Sequence, residues 1–174
     1  MTHIRSYQEY TPNIHSNAFV DKSAVVIGDV QIGEGSSIWP LSVLRGDQGS
    51  IFVGKNSNIQ DGSVVHATGG ISTVYVGDHV TVGHKVILHG CHIESWVLIG
   101  MGSIILDKAV IGQGSIVGAG ALVTANTKIP PKSMVLGSPA KVVRELRDGE
   151  FEKWIVHGAE EYMRLSTWYK NNEL

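Results

Sequence analysis

One cysteine in 174 residues, Cys91, leaves nothing for an intrachain disulfide to close. The expectation that follows is a reducing, cytoplasmic setting. Basic charge is also short: 14 Lys and Arg face 16 Asp and Glu, for a formal net charge of -2 and a pI near 6.4. Such a balance builds no phosphate-binding surface, so neither nucleic acid nor an anionic membrane is an expected partner. No apolar run approaches a membrane span, and the opening "MTHIRSYQEY" lacks the apolar core of a secretory signal. Aromatic residues are only 7% of the chain, and two of its four tryptophans, Trp154 and Trp168, fall near the end.

Glycine is the contrary case. There are 21, spread through the chain instead of gathered in linkers. Composition leaves the fold open, and periodicity decides it. Counting by six from Ile93 gives Ile99, Ile105, Ile111, Val117, Val123, Ile129 and Val135, all β-branched. Four places after each comes a mostly small residue, among them Ser103, Ala109, Ser115, Ala121 and Ser133. The register also runs upstream through Val20, Val26, Ile32, Ile38 and Leu44. It resumes after a three-residue insertion at Val53, Ile59 and Val65, and after a five-residue insertion in "HATGGISTVYV" at Val76, Val82 and Leu88. The Leu88 repeat is one residue short, and the count reaches nineteen hexads.

A period of six suits neither an α-helix nor a hairpin meander. It suits short strands joined by tight turns, each aliphatic facing a shared interior and each small residue filling a crowded corner. Stacked turns then pair as parallel strands roughly 4.8 Å apart. The pattern resembles the hexapeptide repeat of the left-handed parallel β-helix, in which three hexads make one triangular coil; nineteen make a little over six. The expected fold is therefore mainly β: a left-handed parallel β-helix with a C-terminal α-helix. Residues 1–17 form an N-terminal arm, 18–140 the β-helix and 141–174 the helical segment. In that last segment Trp154, Gly158, Tyr162, Leu165 and Tyr169 recur at helical spacing and predict one stripe of a helix over about 150–170. Met163 and Trp168 are expected to extend its contact toward a neighbouring subunit.

The same count places the histidines. His66 follows the aliphatic of the eighth hexad and His89 that of the eleventh, one full coil later, so the two should stack on one face. Arg45 holds the same slot one coil below. His84, two places after Val82, falls on the adjacent face in the slot that Asp61 has one coil earlier, beside Gln60. A single chain keeps His84 apart from the other two, whereas edges of neighbouring chains meet in a threefold assembly. Three converging imidazoles suit zinc, whose catalytic sites take three protein ligands and leave one position open. Iron(II) and cobalt(II) suit the same donors. His92, His3, His15, His79 and His157 fall outside this arrangement and read as ordinary surface residues.

"RGD" at 45–47, "NIQDGSVVH" at 58–66 and "VGHKVILHGC" at 82–91 together resemble the γ-class carbonic anhydrases, most closely their short bacterial carbonic anhydrase-like members. The resemblance implies a homotrimer with three interfacial metal sites whose ligands are His66, His84 and His89. It implies that carbon dioxide and bicarbonate are the small-molecule substrates, interconverted with hydroxide that zinc draws from water near neutral pH. It further implies that Gln60 hydrogen-bonds the reacting oxygen, that Asp47 and Asn58 orient this network, and that Arg45 and Asp61 form an ion pair between chains. Tyr162 is expected to reach a neighbour's site. Stronger members carry an acidic loop with a glutamate proton shuttle. The corresponding "ATGGISTVY" here has no carboxylate, and Gln48 stands where an acid follows the "RGD". Slow or absent turnover is therefore one expectation, and a non-catalytic metal-binding trimer is the rival reading. The other rival is a hexapeptide-repeat acyltransferase, or a thioesterase acting on an acyl-CoA, to which "GSPAKVVR" is similar; short insertions and three histidines argue against it.

Overall fold

The structure, a computed structural model, describes residues 3–172; residues 1–2 of the arm and 173–174 of the helical segment lie outside them. Nearly every strand is two or three residues long and pairs in parallel with the strand one coil away. The result is a parallel β-solenoid of about seven turns, the hexapeptide-repeat β-helix that the period predicts. One twelve-stranded sheet wraps two faces, because Val25–Ile32 and Val43–Val53 run unbroken round a corner. An eight-stranded sheet, from Phe19–Val20 to the closing hairpin of Ser133–Gly137 and Ala140–Glu145, makes the third.

The hexad positions explain this shape. Ile38, Leu44, Ile59, Val65, Val82, Leu88, Ile93, Ile99, Ile105, Ile111, Val117 and Val123 are all fully buried and form one continuous core. Each such side chain contributes on the order of 1.5–3 kcal/mol of transfer free energy. The small residues four places on do more than fit the corners. Ser36, Ser57, Ser63 and Ser115 donate their buried hydroxyls to carbonyls of the next rung, at 2.6, 2.7, 3.0 and 3.0 Å. A larger apolar residue would overfill the corner and orphan that carbonyl. Repeat and pairing also begin earlier than the count from Val20. Ile14 lies one hexad before it and pairs with Ile32, while Ile4–Arg5 adds a rung beneath Val26–Ile27.

Past the hairpin, Phe151–Val156 forms a π-helical segment that continues into the α-helix His157–Asn172. The helix descends the eight-stranded face, so that Trp39 meets both Tyr162 and Tyr169 edge-on with ring centroids 5.3 Å apart. The buried stripe is Ile155, Ala159, half-buried Tyr162 and Ser166, one position later at several turns than the predicted Trp154–Gly158–Leu165 line. Trp154 and Ile155 both lie within the π-helical turn, which buries Ile155 and leaves Trp154 half exposed. Met163 is half-buried in its own chain, and exposed Trp168 rests against Tyr169. Gly114 anchors the segment. Its φ of +71° suits a corner, and a Cβ there would meet the Phe151 ring at an ordinary contact distance of 3.5 Å, so the ring packs over this turn. No helix among the described residues is long and apolar enough to cross a membrane.

Candidate metal centre

His66 ends the strand Val64–His66 and His89 ends Ile87–His89; the two strands pair in parallel with Val65 opposite Leu88 and His66 opposite His89. Because Val65 and Leu88 are buried inward, the alternation of a strand turns both imidazoles outward. The predicted stack is present: His66 Nδ1 lies 3.4 Å from His89 Nε2. The other nitrogen of each ring meets a carboxylate. His66 Nε2 is 3.1 Å from Asp47 Oδ1, and His89 Nδ1 is 2.9 Å from Asp107 Oδ2.

The two carboxyls are ionised at neutral pH. Burial pushes each upward. Hydrogen bonds from Arg45 and His66 outweigh it at Asp47, as those from Ser72 and His89 do at Asp107, and both are held below the ordinary carboxylate value. An ionised carboxylate only accepts, so His66 Nε2 and His89 Nδ1 must donate. In neutral rings the inner nitrogens then face each other as two lone pairs, an arrangement that calls for a cation. Two nitrogens bound to one tetrahedral zinc at about 2.0–2.1 Å stand roughly 3.3–3.4 Å apart, which is the separation observed. The donor chemistry and the spacing both fit a metal ion.

A second cluster belongs to the eight-stranded sheet. Asn58 is the middle of a bond series there: Gln60 Nε2 donates to Asn58 Oδ1 at 3.0 Å, and Asn58 Nδ2 donates to Thr81 Oγ1 at 3.0 Å. Gln60 is 95% buried, since its exposure is 5%. On the adjoining corner His84 Nδ1 bonds Asp61 Oδ2 at 2.9 Å, which leaves Nε2 as its remaining ligand atom. Tyr162 lies against Trp39 of its own chain, and burial, then the charges of Asp61 and Glu161, push its phenol up. Among the described residues of one chain, no three His, Cys, Asp or Glu side chains gather where they could hold a metal ion. The chain thus carries two imidazoles on one face and a third elsewhere.

Arg45 binds Asp47 within the chain, at 2.6 Å to Oδ2 and 2.8 Å to Oδ1, and Asp61 binds His84. The two residues of the expected interchain pair are thus each engaged at home. Sequence reasoning missed Asp107 and Ser72. Asp107 lies two places after Ile105, one coil above the His89 hexad, so the same count could have found it; Ser72, inside an insertion, has no period to locate it. His79 and His92, read as plain surface residues, stack flat on Trp96 and Tyr75 with centroids 4.0 and 4.5 Å apart. Cys91 is buried and its thiol is pushed up to about 12, so it supplies no thiolate.

Fold and repeat define a hexapeptide-repeat β-helix protein, and residues 11–46 match the family described as bacterial transferase hexapeptide (six repeats). The carnitine operon protein CaiE of Escherichia coli (strain K12) is 42% identical over 160 residues, 92% of this chain and 81% of that protein. Gamma carbonic anhydrase 2, mitochondrial, of Arabidopsis thaliana is 44% identical over 161 residues, 90% of this chain; the chain spans 58% of the plant protein's length. Among solved structures, a hexapeptide transferase family protein from Anaplasma phagocytophilum superposes with a TM-score of 0.92 at 39% identity, covering 97% of this chain and 99% of that one. The chain belongs to the γ-class carbonic anhydrase-like family of hexapeptide-repeat proteins.

Proposed function

We propose that this chain forms a homotrimer in which His66 and His89 of one subunit and His84 of the next hold a zinc ion that serves reversible hydration of carbon dioxide. The observation that carries the reading is the 3.4 Å approach of two imidazole nitrogens whose far sides are both tied to carboxylates. Among the described residues one chain gathers no third donor at this pair, and His84 has its Nε2 as a remaining ligand atom, so a second copy supplies it. An apolar ridge supports the packing of chains. Val43, Val64, Ile87, Ile104 and Leu122 stand in register on the outer surface beside the histidines, with Val64 and Ile87 each 38% exposed. A core of that kind suits a subunit interface better than water.

A zinc ion held there would supply Lewis acidity, which makes hydroxide available from water near neutral pH. The chain's own groups do the rest. Asp47 and Asp107 hold the rings at their outer nitrogens, and Arg45 holds Asp47. Gln60, itself held by Asn58, offers its amide to the reacting oxygen. No carboxylate of the 67–75 insertion takes the released proton, so buffer carries it. That deficit also favours the second reading, a metal-binding trimer without turnover.

Sedimentation, metal analysis of protein purified without added metal or chelator, and hydration kinetics test the proposal together. Three chains per particle, one zinc per chain, and hydration that rises with buffer concentration are expected. Metal and trimer without hydration select the non-catalytic reading. Hydrolysis of an acyl-thioester in place of hydration selects the thioesterase.

A further inference from the structure

We propose that Asp107 is a positioning residue for His89 and that Ser72 fixes Asp107, so that the insertion between Val65 and Val76 governs how a metal-binding ring is presented. The functional consequence rests on the metal reading above, but the orientation is a property of the chain alone.

Three stretches distant in sequence meet at this point. Asp107 Oδ2 accepts from His89 Nδ1 at 2.9 Å, and Asp107 Oδ1 accepts the hydroxyl of Ser72 in a short hydrogen bond. Ser72 Oγ in turn accepts the Thr68 amide at 3.1 Å, which ties the bond to the backbone of the insertion. Gly90 gives independent support. A Cβ at that position would lie 2.1 Å from Ser72 Oγ and 2.2 Å from Asp107 Oδ1, so the residue next to His89 must be bare for the contact to exist. The Lys108 amide then closes on the Gly90 carbonyl at 2.7 Å, fixing the turn that carries Asp107.

The series of bonds has one direction. Ser72 donates its only proton to Asp107, and the carboxylate, with both oxygens committed, can only accept. His89 must therefore carry its proton on Nδ1, which keeps the lone pair on Nε2, the nitrogen that faces His66. A neutral ring without that carboxylate is free to carry the proton on Nε2, where it blocks ligation. Ring and tautomer are set together, and the setting group lies outside the histidine motifs.

The test uses the full chain with ¹⁵N-labelled histidine, parent beside Asp107→Ala, Asp107→Asn and Ser72→Ala. Two quantities are read: the His89 tautomer in metal-free protein by ¹⁵N NMR, and zinc affinity by chelator competition. The parent is expected to show the Nδ1–H tautomer alone. Asp107→Ala should turn mostly to Nε2–H and lose about 10–100-fold in zinc affinity, the usual toll of removing an outer-shell partner. Asp107→Asn, whose carbonyl still accepts from Nδ1, should keep the tautomer and lose less than about tenfold; Ser72→Ala should fall between. An unchanged tautomer, or an affinity within about twofold of the parent, in Asp107→Ala overturns the proposal. If that variant does not fold, the same unchanged results in Ser72→Ala overturn it. A parent that holds the Nδ1–H tautomer yet binds no zinc sinks the metal reading, while a tautomer shift in Asp107→Ala upholds the positioning role.

Discussion

The coils below Ile93 and those above it are built on one period, yet they present different surfaces. Above, the hexads run without interruption from Ile93 to Val135, and the slot after the aliphatic holds Leu106 and Thr124 on the face that concerns the metal. Below, the same slot holds Arg45, His66 and His89, and both insertions fall here. Inward positions scarcely change: Val65 and Leu88 are as buried as Ile105 and Val123. The alternation of a strand lets one surface carry chemistry while the other carries stability, with little interference between them. An insertion adds what a bare rung cannot reach, as Ser72 does at Asp107.

That division can be broken from either side. The largest effect is expected from His89→Ala, which should cut both hydration and zinc content by more than about 100-fold, beyond what loss of an outer-shell group costs, with a melting temperature close to that of the metal-free parent. Kinetics, metal analysis and calorimetry on one sample check this, and a collapsed melting temperature would contradict the division. Ile105→Ala is the mirror image. It should lose about 2–5 kcal/mol of unfolding free energy through the cavity it opens, yet retain full zinc per chain in the folded protein. Chemical denaturation followed by metal analysis reads both quantities.

A smaller effect sharpens the site itself. His84→Ala and His89→Ala are each expected to be inactive alone. After their chains are mixed and exchanged, about a quarter of sites in a random closed ring pair an intact His66–His89 face with an intact His84, so about a quarter of the parent activity should return. No recovery after verified exchange would place all three histidines within one chain's function. The smallest effect concerns the upper end, where Arg144 grips Glu150 with two bonds of 2.6 and 2.8 Å. Arg144, then the Arg147 amide, hold the Glu150 carboxyl down to about 2, against an ordinary 4.5. Between those values the unfolded chain binds the proton and the folded chain does not, so stability from this pair is complete above 4.5 and fades as pH falls toward 2. Glu150→Gln should therefore melt less steeply with acid than the parent across that window, with zinc content untouched.

Much of this was legible because the repeat converts sequence distance into place. His89 over His66 needs only a count of three hexads, and the same count places Asp107 one coil above the His89 hexad. Ile14 shows the same arithmetic stopped one hexad early. What the count could not reach lies outside the period. Ser72 sits in an insertion, and the π-helical turn over Phe151–Val156 leaves no mark in the spacing of apolar residues. Arg45 and Asp61 illustrate a third limit: the count puts them on the correct faces, but which carboxylate or imidazole each one grips depends on side-chain reach.

The C-terminal helix has a further consequence for the length of the tower. It touches the stack at one end through Phe151, packed over Gly114, and at the other through the Lys170 ammonium on the Ser16 carbonyl. The α-helix His157–Asn172, at about 1.5 Å per residue, reaches about 24 Å, and five rungs at about 4.8 Å reach roughly the same, so the helix spans much of the stack. A solenoid has no intrinsic reason to stop growing or shrinking by whole rungs. A coil gained or lost between the two contacts would separate one of them even where every remaining rung still paired.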